Sequence, residues 1–183
     1  MKHVARRPAP AALLALLALF VVAPARAAHG QLVSAGLGPA FPGGEFKDTY
    51  NPGDGFYFSG RANLSFAFLT LQLELAHTAW SFNDSAGDAS IDMWQPGVNL
   101  GFRFIRVGPV RPYILAGVIG SNLNVQTATT DDSGVHFGYQ AGAGIDFKLG
   151  PLRPFVEYRW IELDGPGDIN VKYYPLIFGI GIF

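Results

Sequence analysis

From Gln31 onward this sequence alternates, and that alternation constrains the fold more than any other feature. A period of two sends successive side chains to opposite faces of a β-strand. Residues 135–149 show it most cleanly. Phe137, Tyr139, Ala141, Ala143, Ile145, Phe147 and Leu149 form one set; His136, Gly138, Gln140, Gly142, Gly144, Asp146 and Lys148 form the other. In residues 58–66, Phe58, Ala62, Leu64 and Phe66 oppose Ser59, Arg61, Asn63 and Ser65. In residues 69–75, four Leu alternate with Thr70, Gln72 and Glu74. In residues 94–104, Trp94, Val98, Leu100, Phe102 and Phe104 oppose Gln95, Gly97, Asn99, Gly101 and Arg103. No helical period competes with these runs.

Turn signals separate the runs. Short connections are expected at 67–68, 106–111 and 150–153, and longer polar ones at 42–55, 83–90, 127–134 and 164–170. Short and long alternate. Seven connections imply eight strands, near 31–41, 56–66, 69–82, 91–105, 112–125, 135–149, 154–163 and 171–183. A weak internal repeat, Phe104-Ile-Arg-Val-Gly-Pro-Val-Arg-Pro-Tyr113 and Phe147-Lys-Leu-Gly-Pro-Leu-Arg-Pro-Phe155 with one residue inserted in the first, shares a Gly-Pro-x-Arg-Pro core and falls at two of the short turns. Gly-Pro suits a tight reversal, and the second Pro suits the first residue of a strand.

Residues 1–27 read differently. Lys2, Arg6 and Arg7 precede an unbroken apolar run from Ala11 to Ala23, and Ala25-Arg26-Ala27 follows. This is the three-part pattern of a secretory signal peptide, with the mature chain, residues 28–183, expected as one domain. The apolar run is shorter than the roughly 20 residues a spanning helix needs. Cleavage removes four of the 13 Lys and Arg and none of the 14 Asp and Glu, leaving nine against 14, a net charge of −5. That charge argues against nucleic acid as a partner. The chain has no Cys, which excludes disulfides, thiolate metal sites and a cysteine nucleophile.

Eight antiparallel strands can close into a barrel and so remove their edges. Alternation alone allows an apolar interior in water or an apolar exterior in lipid. Aromatic residues at the strand ends favour lipid. One group lies beside the long connections: Phe56, Tyr57, Trp80, Phe82, Trp94, Phe137, Tyr139, Trp160, Tyr173 and Tyr174. The other lies beside the short turns: Phe66, Phe68, Phe102, Phe104, Tyr113, Phe147, Phe155 and Phe183. Mostly aliphatic residues and glycine lie between. The facing of strand 5 stays open, because Ile114–Ile119 is apolar on both faces.

The mature chain resembles the small eight-stranded outer-membrane β-barrel superfamily of Gram-negative bacteria, which includes the OmpA transmembrane domain and OmpX. The resemblance rests on Arg111-Pro112-Tyr113, Gly142-x-Gly144-Ile145-Asp146, Pro154-Phe155-Val156-Glu157-Tyr158-Arg159 and Tyr174-Pro175-Leu176-x-x-Gly179-Ile180-Gly181-Ile182-Phe183. It implies an all-β, up-and-down transmembrane barrel in the bacterial outer membrane, with both ends facing the periplasm and the long connections outside. Outer-membrane lipid and lipopolysaccharide would be its partners, and the barrel-assembly machinery would read Tyr174, Gly179 and Phe183 during insertion. The barrel would be a monomer without a cofactor. Gly179 and Gly181 depart from the family's bulky residues on the face of the last Phe, so strand 8 is left with two facings, one of which turns Lys172 inward.

The inward charges are expected to be Arg61, Glu74, Arg103, Asp146, Lys148, Glu157 and Arg159. Inside so narrow a barrel they must pair, giving a plugged lumen and a structural or loop-presenting protein. The alternative is a narrow ion or solute pore. A lipid A-modifying enzyme is the other alternative. Ser133, His136 and Asp132 can be written as a triad. They lie close together at one strand entry, and the His-x-Ser pattern of the deacylase barrels fails at Gly138. His29 and His77 suggest no chemistry, and the reading is non-enzymatic. Acidic connections carry Glu45, Asp48, Asp54, Asp84, Asp88, Asp131, Asp132, Asp164 and Asp168 without calcium-loop spacing, so no metal site is expected.

Overall fold

The structure, a computed structural model, describes residues 31–50, 52–81, 90–105, 108–127, 130–164 and 170–182. The leader expected at residues 1–27 lies outside them. The strands are β1 (Gln31–Gly43), β2 (Gly55–Phe66), β3 (Leu69–Ser81), β4 (Ser90–Arg103), β5 (Val110–Thr127), β6 (Thr130–Phe147), β7 (Leu152–Asp164) and β8 (Asn170–Ile182). Each pairs antiparallel with its sequence neighbours, and β1 also pairs with β8, closing an up-and-down barrel of eight strands. No edge is left to recruit another chain.

Two elements differ from expectation. The connection expected at 127–134 is instead ladder: β5 and β6 pair as far as Thr127↔Thr130. Each is 18 residues long. At about 3.3 Å per residue and a tilt near 45°, such a strand outreaches an apolar band about 25 Å tall. Beyond lipid both faces meet water, so the apolar alternation stops while the hydrogen-bond ladder continues. The second difference is a seven-residue helix, α1 (Gly44–Tyr50), within the first long connection. It is too short to display a helical period and packs against β8 and β1.

The apolar face is outside. Val33, Leu37, Phe58, Val98, Leu100, Val118, Ile145, Val156, Ile180 and Ile182 are all exposed around the wall. A continuous apolar girdle is incompatible with water and suits hydrocarbon. In β8, Phe178, Ile180 and Ile182 face outward while Gly179 and Gly181 face inward. Lys172 therefore faces outward, 3.1 Å from Glu162 and over the Trp160 ring. In β5, Ile114, Ala116 and Val118 face outward, and Leu115 and Ile119 inward. Gly179 is required by close approach. A Cβ there would lie 2.2 Å from the Phe155 ring and 2.4 Å from the Ala35 carbonyl oxygen.

The aromatic belts are thinner than expected. Phe56, Trp94, Phe137, Tyr139, Trp160 and Tyr174 line the outside at the long-connection end, and Phe66, Phe68, Phe102, Phe104 and Phe147 at the short-turn end. Tyr57, Trp80, Tyr173, Tyr113 and Phe155 point inward instead. Strand parity is the reason. Phe56 and Tyr57 are adjacent, as are Tyr173 and Tyr174, and adjacent residues cannot share a face. Phe82 and Phe183 lie outside the described residues.

Candidate functional site: the barrel interior

The middle of the interior is an ion-pair layer. Arg61 on β2 and Glu74 on β3 face each other in register, with Arg61 Nε 2.9 Å from Glu74 Oε1. Glu157 and Arg159 sit two residues apart on the inward face of β7. Arg159 Nη1 lies 2.5 Å from Glu74 Oε2, Arg159 Nε donates to Glu157, and Arg61 Nη2 lies 3.1 Å from Glu157 Oε1. Each arginine thus meets both carboxylates. Since β3 and β7 are on opposite walls of an eight-strand closed ring, the Arg159–Glu74 pair spans the interior.

Neutral groups complete the carboxylate shells. Tyr57 donates to Glu74 at 3.0 Å, Asn99 to Glu74 at 3.0 Å, and Tyr113 to Glu157 at 2.7 Å. An amide chain continues the layer: Gln140 donates to Asn99 at 2.8 Å, Asn99 to Gln72 at 3.0 Å, and Gln72 to Asn63 at 2.9 Å. The four charged side chains are at most 2% exposed. Ions buried this fully are tolerated only when paired and hydrogen-bonded on all sides.

At the short-turn end, Asp146 takes an arginine on each oxygen, Arg103 on Oδ2 at 3.3 Å and Arg111 on Oδ1. Arg103 also donates to Ser65 and Thr70. Arg153 is 8% exposed at this end and lies within electrostatic range of Arg103, Arg111 and Asp146. A small cavity, open to solvent on one side, lies between these groups and the middle layer.

The long-connection end is different. Phe46 of α1 turns into the barrel mouth and meets Trp80 edge-on, ring centroids 5.4 Å apart. Trp80 meets Tyr173 edge-on at 5.0 Å. Ile91, Met93, Ile161, Leu163 and Val171 pack around them, each at most 3% exposed. Tyr173 satisfies its hydroxyl by donating to Gln95 at 2.6 Å. Edge-to-face rings of this kind are the favoured aromatic packing.

Of the expected inward charges, Arg61, Glu74, Glu157 and Arg159 come together in one layer, and Arg103 and Asp146 in a second. Lys148 does not join: β6 ends at Phe147, and Lys148 is exposed at the turn. Arg111 and Arg153 were missed, because both were assigned to connections. They are the arginines of the two Gly-Pro-x-Arg-Pro copies. Extending the parity of Tyr113 and Phe155 back by two residues would have turned both inward. Phe46 carried no signal of its own. Of the assembly-signal residues, Tyr174 faces outward, Gly179 inward, and Phe183 lies outside the described residues.

Among the described residues the histidines do not converge on a site. His77 is on the outer face, 3.3 Å from Asp92 and against the Trp94 ring. His136 shares the inward set of β6, and the side chains of Asp132 and Ser133 lie outside those described. His29, Asp84, Asp88 and Asp168 lie outside the described residues. Among the described residues no three acidic or histidine side chains cluster as a metal site.

A closed eight-strand ring, an apolar exterior and a charged interior describe a membrane barrel, and the comparisons with known proteins agree. Residues 11–170 match the model of the family described as "Outer membrane protein beta-barrel domain". The chain belongs to that family. It is similar to the 25 kDa outer-membrane immunogenic protein of Brucella ovis, 37% identical over 57 residues, which is 31% of this chain. That match spans only 28% of the relative's own length. The barrel also superimposes on Neisserial surface protein A with a TM-score of 0.67, at 17% identity, over 86% of this chain and 99% of the other. The outer membrane enzyme PagL shares the fold at a TM-score of 0.50 and 18% identity, over 82% and 98% of the two chains. At such identities the likeness is one of fold alone, and the fold serves enzymes and non-enzymes alike.

Proposed function

We propose that this barrel is a non-enzymatic protein of the bacterial outer membrane whose interior is plugged by its own side chains and whose function lies on its outward surfaces. The single observation that supports this reading is the stack of two fillings across the interior, Phe46–Trp80–Tyr173 above the paired layer of Arg61, Arg159, Glu74 and Glu157. Cleavage of residues 1–27 would release the mature chain, and the assembly machinery would insert it as a monomer. The long connections, including the projecting β5–β6 hairpin, would then present binding surfaces to the outside, with lipid and lipopolysaccharide against the girdle.

The test is single-channel recording of the refolded protein in a planar bilayer, with folding checked by its heat-dependent gel shift. A folded, silent barrel is the expected result. Reproducible current steps that change in Glu157→Ala would replace the plug with a narrow pore. Loss of lipid A acyl chains on expression would replace it with an enzyme.

A further inference from the structure

The outer wall should stay apolar as far as the lipid headgroups, and on β3, β4 and β5 it changes character at one rung. Leu69, Leu71, Leu73 and Leu75 climb the outer face of β3 from the short turn, and His77 takes the next outward position. His77 is in register with Trp94 on β4, and Trp94 with Asn122 on β5. Two residues further from the short turns, Ala79 is in register with Asp92. On the short-turn side of this rung the outward residues of β4 and β5 include Val98, Leu100, Ile114 and Val118. A pair of ionisable side chains is too costly to leave in hydrocarbon. His77, Trp94, Asp92 and Asn122 therefore lie at the level of the headgroups.

One side chain organises this group. His77 Nε2 lies 3.3 Å from Asp92 Oδ1, and the His77 ring packs on the Trp94 ring, centroids 4.7 Å apart. His77 thus sets both a carboxylate and an indole. An aromatic belt accounts for Trp94, but not for a carboxylate held beside it. Trp94 is 41% exposed and the Asp92 side chain 52%, and Asn122 is exposed across from the indole. Phe58 and Phe56, exposed on β2, are in register with His77 and Ala79 and bound the group on the other side. An exposed indole suits the C–H face of a sugar ring. A carboxylate and an amide beside it suit hydroxyls, since the first accepts hydrogen bonds and the second both donates and accepts. The same carboxylate repels phosphate, so the group favours the sugar of a headgroup over its phosphates.

We infer that this cluster on the outer wall binds the sugar headgroup of an outer-leaflet glycolipid. Trp94 stacks on the ring, Asp92 and Asn122 bond its hydroxyls, and His77 positions Asp92 and Trp94. The acyl chains then run toward the short-turn end, against Leu75, Val98 and Phe58. The site rests on the outer-membrane placement proposed above and does not depend on the plug.

Native mass spectrometry of the folded protein in a non-ionic detergent, titrated with purified lipid A in the presence of EDTA, counts the glycolipids that each barrel keeps. One lipid A per barrel is expected, held about tenfold more tightly than cardiolipin, which has phosphates and acyl chains but no sugar. Asp92→Asn and Trp94→Leu should each weaken lipid A about tenfold, through a lost charge-assisted hydrogen bond or a lost stacked ring, and leave cardiolipin unchanged. Trp94→Phe should restore most of what Trp94→Leu loses. Val33→Ala, on the outer wall of β1, should change neither lipid. Equal retention of cardiolipin and lipid A, or a preference unaltered in Asp92→Asn and Trp94→Leu, would overturn the site and leave a folded outer-membrane barrel. Binding that appears only when magnesium replaces EDTA would also overturn it, because a cation bridge to phosphate would then be the contact. A chain that never gives the heat-dependent gel shift of a folded barrel would overturn the placement and the site together.

Discussion

At the long-connection end the inward side chains are mainly apolar, among them Phe46, Trp80, Tyr173, Met93, Ile91 and Leu163; at the short-turn end and middle they include five arginines, three carboxylates and a chain of amides, with Leu32, Leu115, Tyr113 and Phe155 between them. The same wall encloses both. The first set is held by shape: rings meet edge-on and no charge needs a partner. The second is held by pairing: each ion is tolerable only because others stand beside it. Even the glycines differ in what they serve. Gly55 makes room for Trp80 in the upper half, while Gly142 makes room for Arg159 and Gly144 for Tyr113 in the lower. One barrel can thus be filled by packing at one end and by electrostatics at the other.

Breaking the paired half should have the largest effect. Arg159→Met leaves Glu74 and Glu157 short of a partner, and should cost about 3–5 kcal/mol in urea unfolding from lipid. Phe46→Ala in the packed half should cost about 3 kcal/mol. A much smaller loss would mean that α1 rests on the barrel without filling it. Gly179→Leu must displace both the Phe155 ring and the Ala35 backbone carbonyl, at a cost of about 3 kcal/mol. The smallest effect expected is a gain. Ala67 has φ +49° in the turn between β2 and β3. Ala67→Gly should stabilise by about 0.5 kcal/mol, strain relief less the entropy of glycine, seen as a higher urea midpoint.

The comparison also explains what could be read from the sequence. The lower half was legible, because inward polar residues stand out against an outward apolar face. Arg61, Glu74, Arg103, Asp146, Glu157 and Arg159 follow from alternation alone. The upper half was not, because Trp80 and Tyr173 face inward while Trp94 and Tyr174 face lipid, and hydrophobicity cannot tell these positions apart. Only parity along each strand separates them, as adjacent Phe56 and Tyr57 require. The strands themselves were found, but the pairing of β5 with β6 beyond lipid was missed, since alternation vanishes where both faces are wet. Arg111 and Arg153 escape for a simpler reason: the Gly-Pro turn signal runs straight into the strand, which begins one residue before each arginine. Helix α1, with its seven residues, is below the length at which periodicity can speak.

Closure of the upper half over an accessible lower half can be measured directly, because the chain has no native Cys to interfere. Met93→Cys places a thiol in the packed half, and Ser34→Cys places one in the wall of the cavity. Each variant, folded into lipid vesicles permeable to the reagent, is treated with a small charged methanethiosulfonate. Ser34→Cys should react readily while Met93→Cys stays unmodified until the barrel is unfolded. Equal rates at the two positions would mean a continuous water path through the barrel, and would contradict an interior closed by packing.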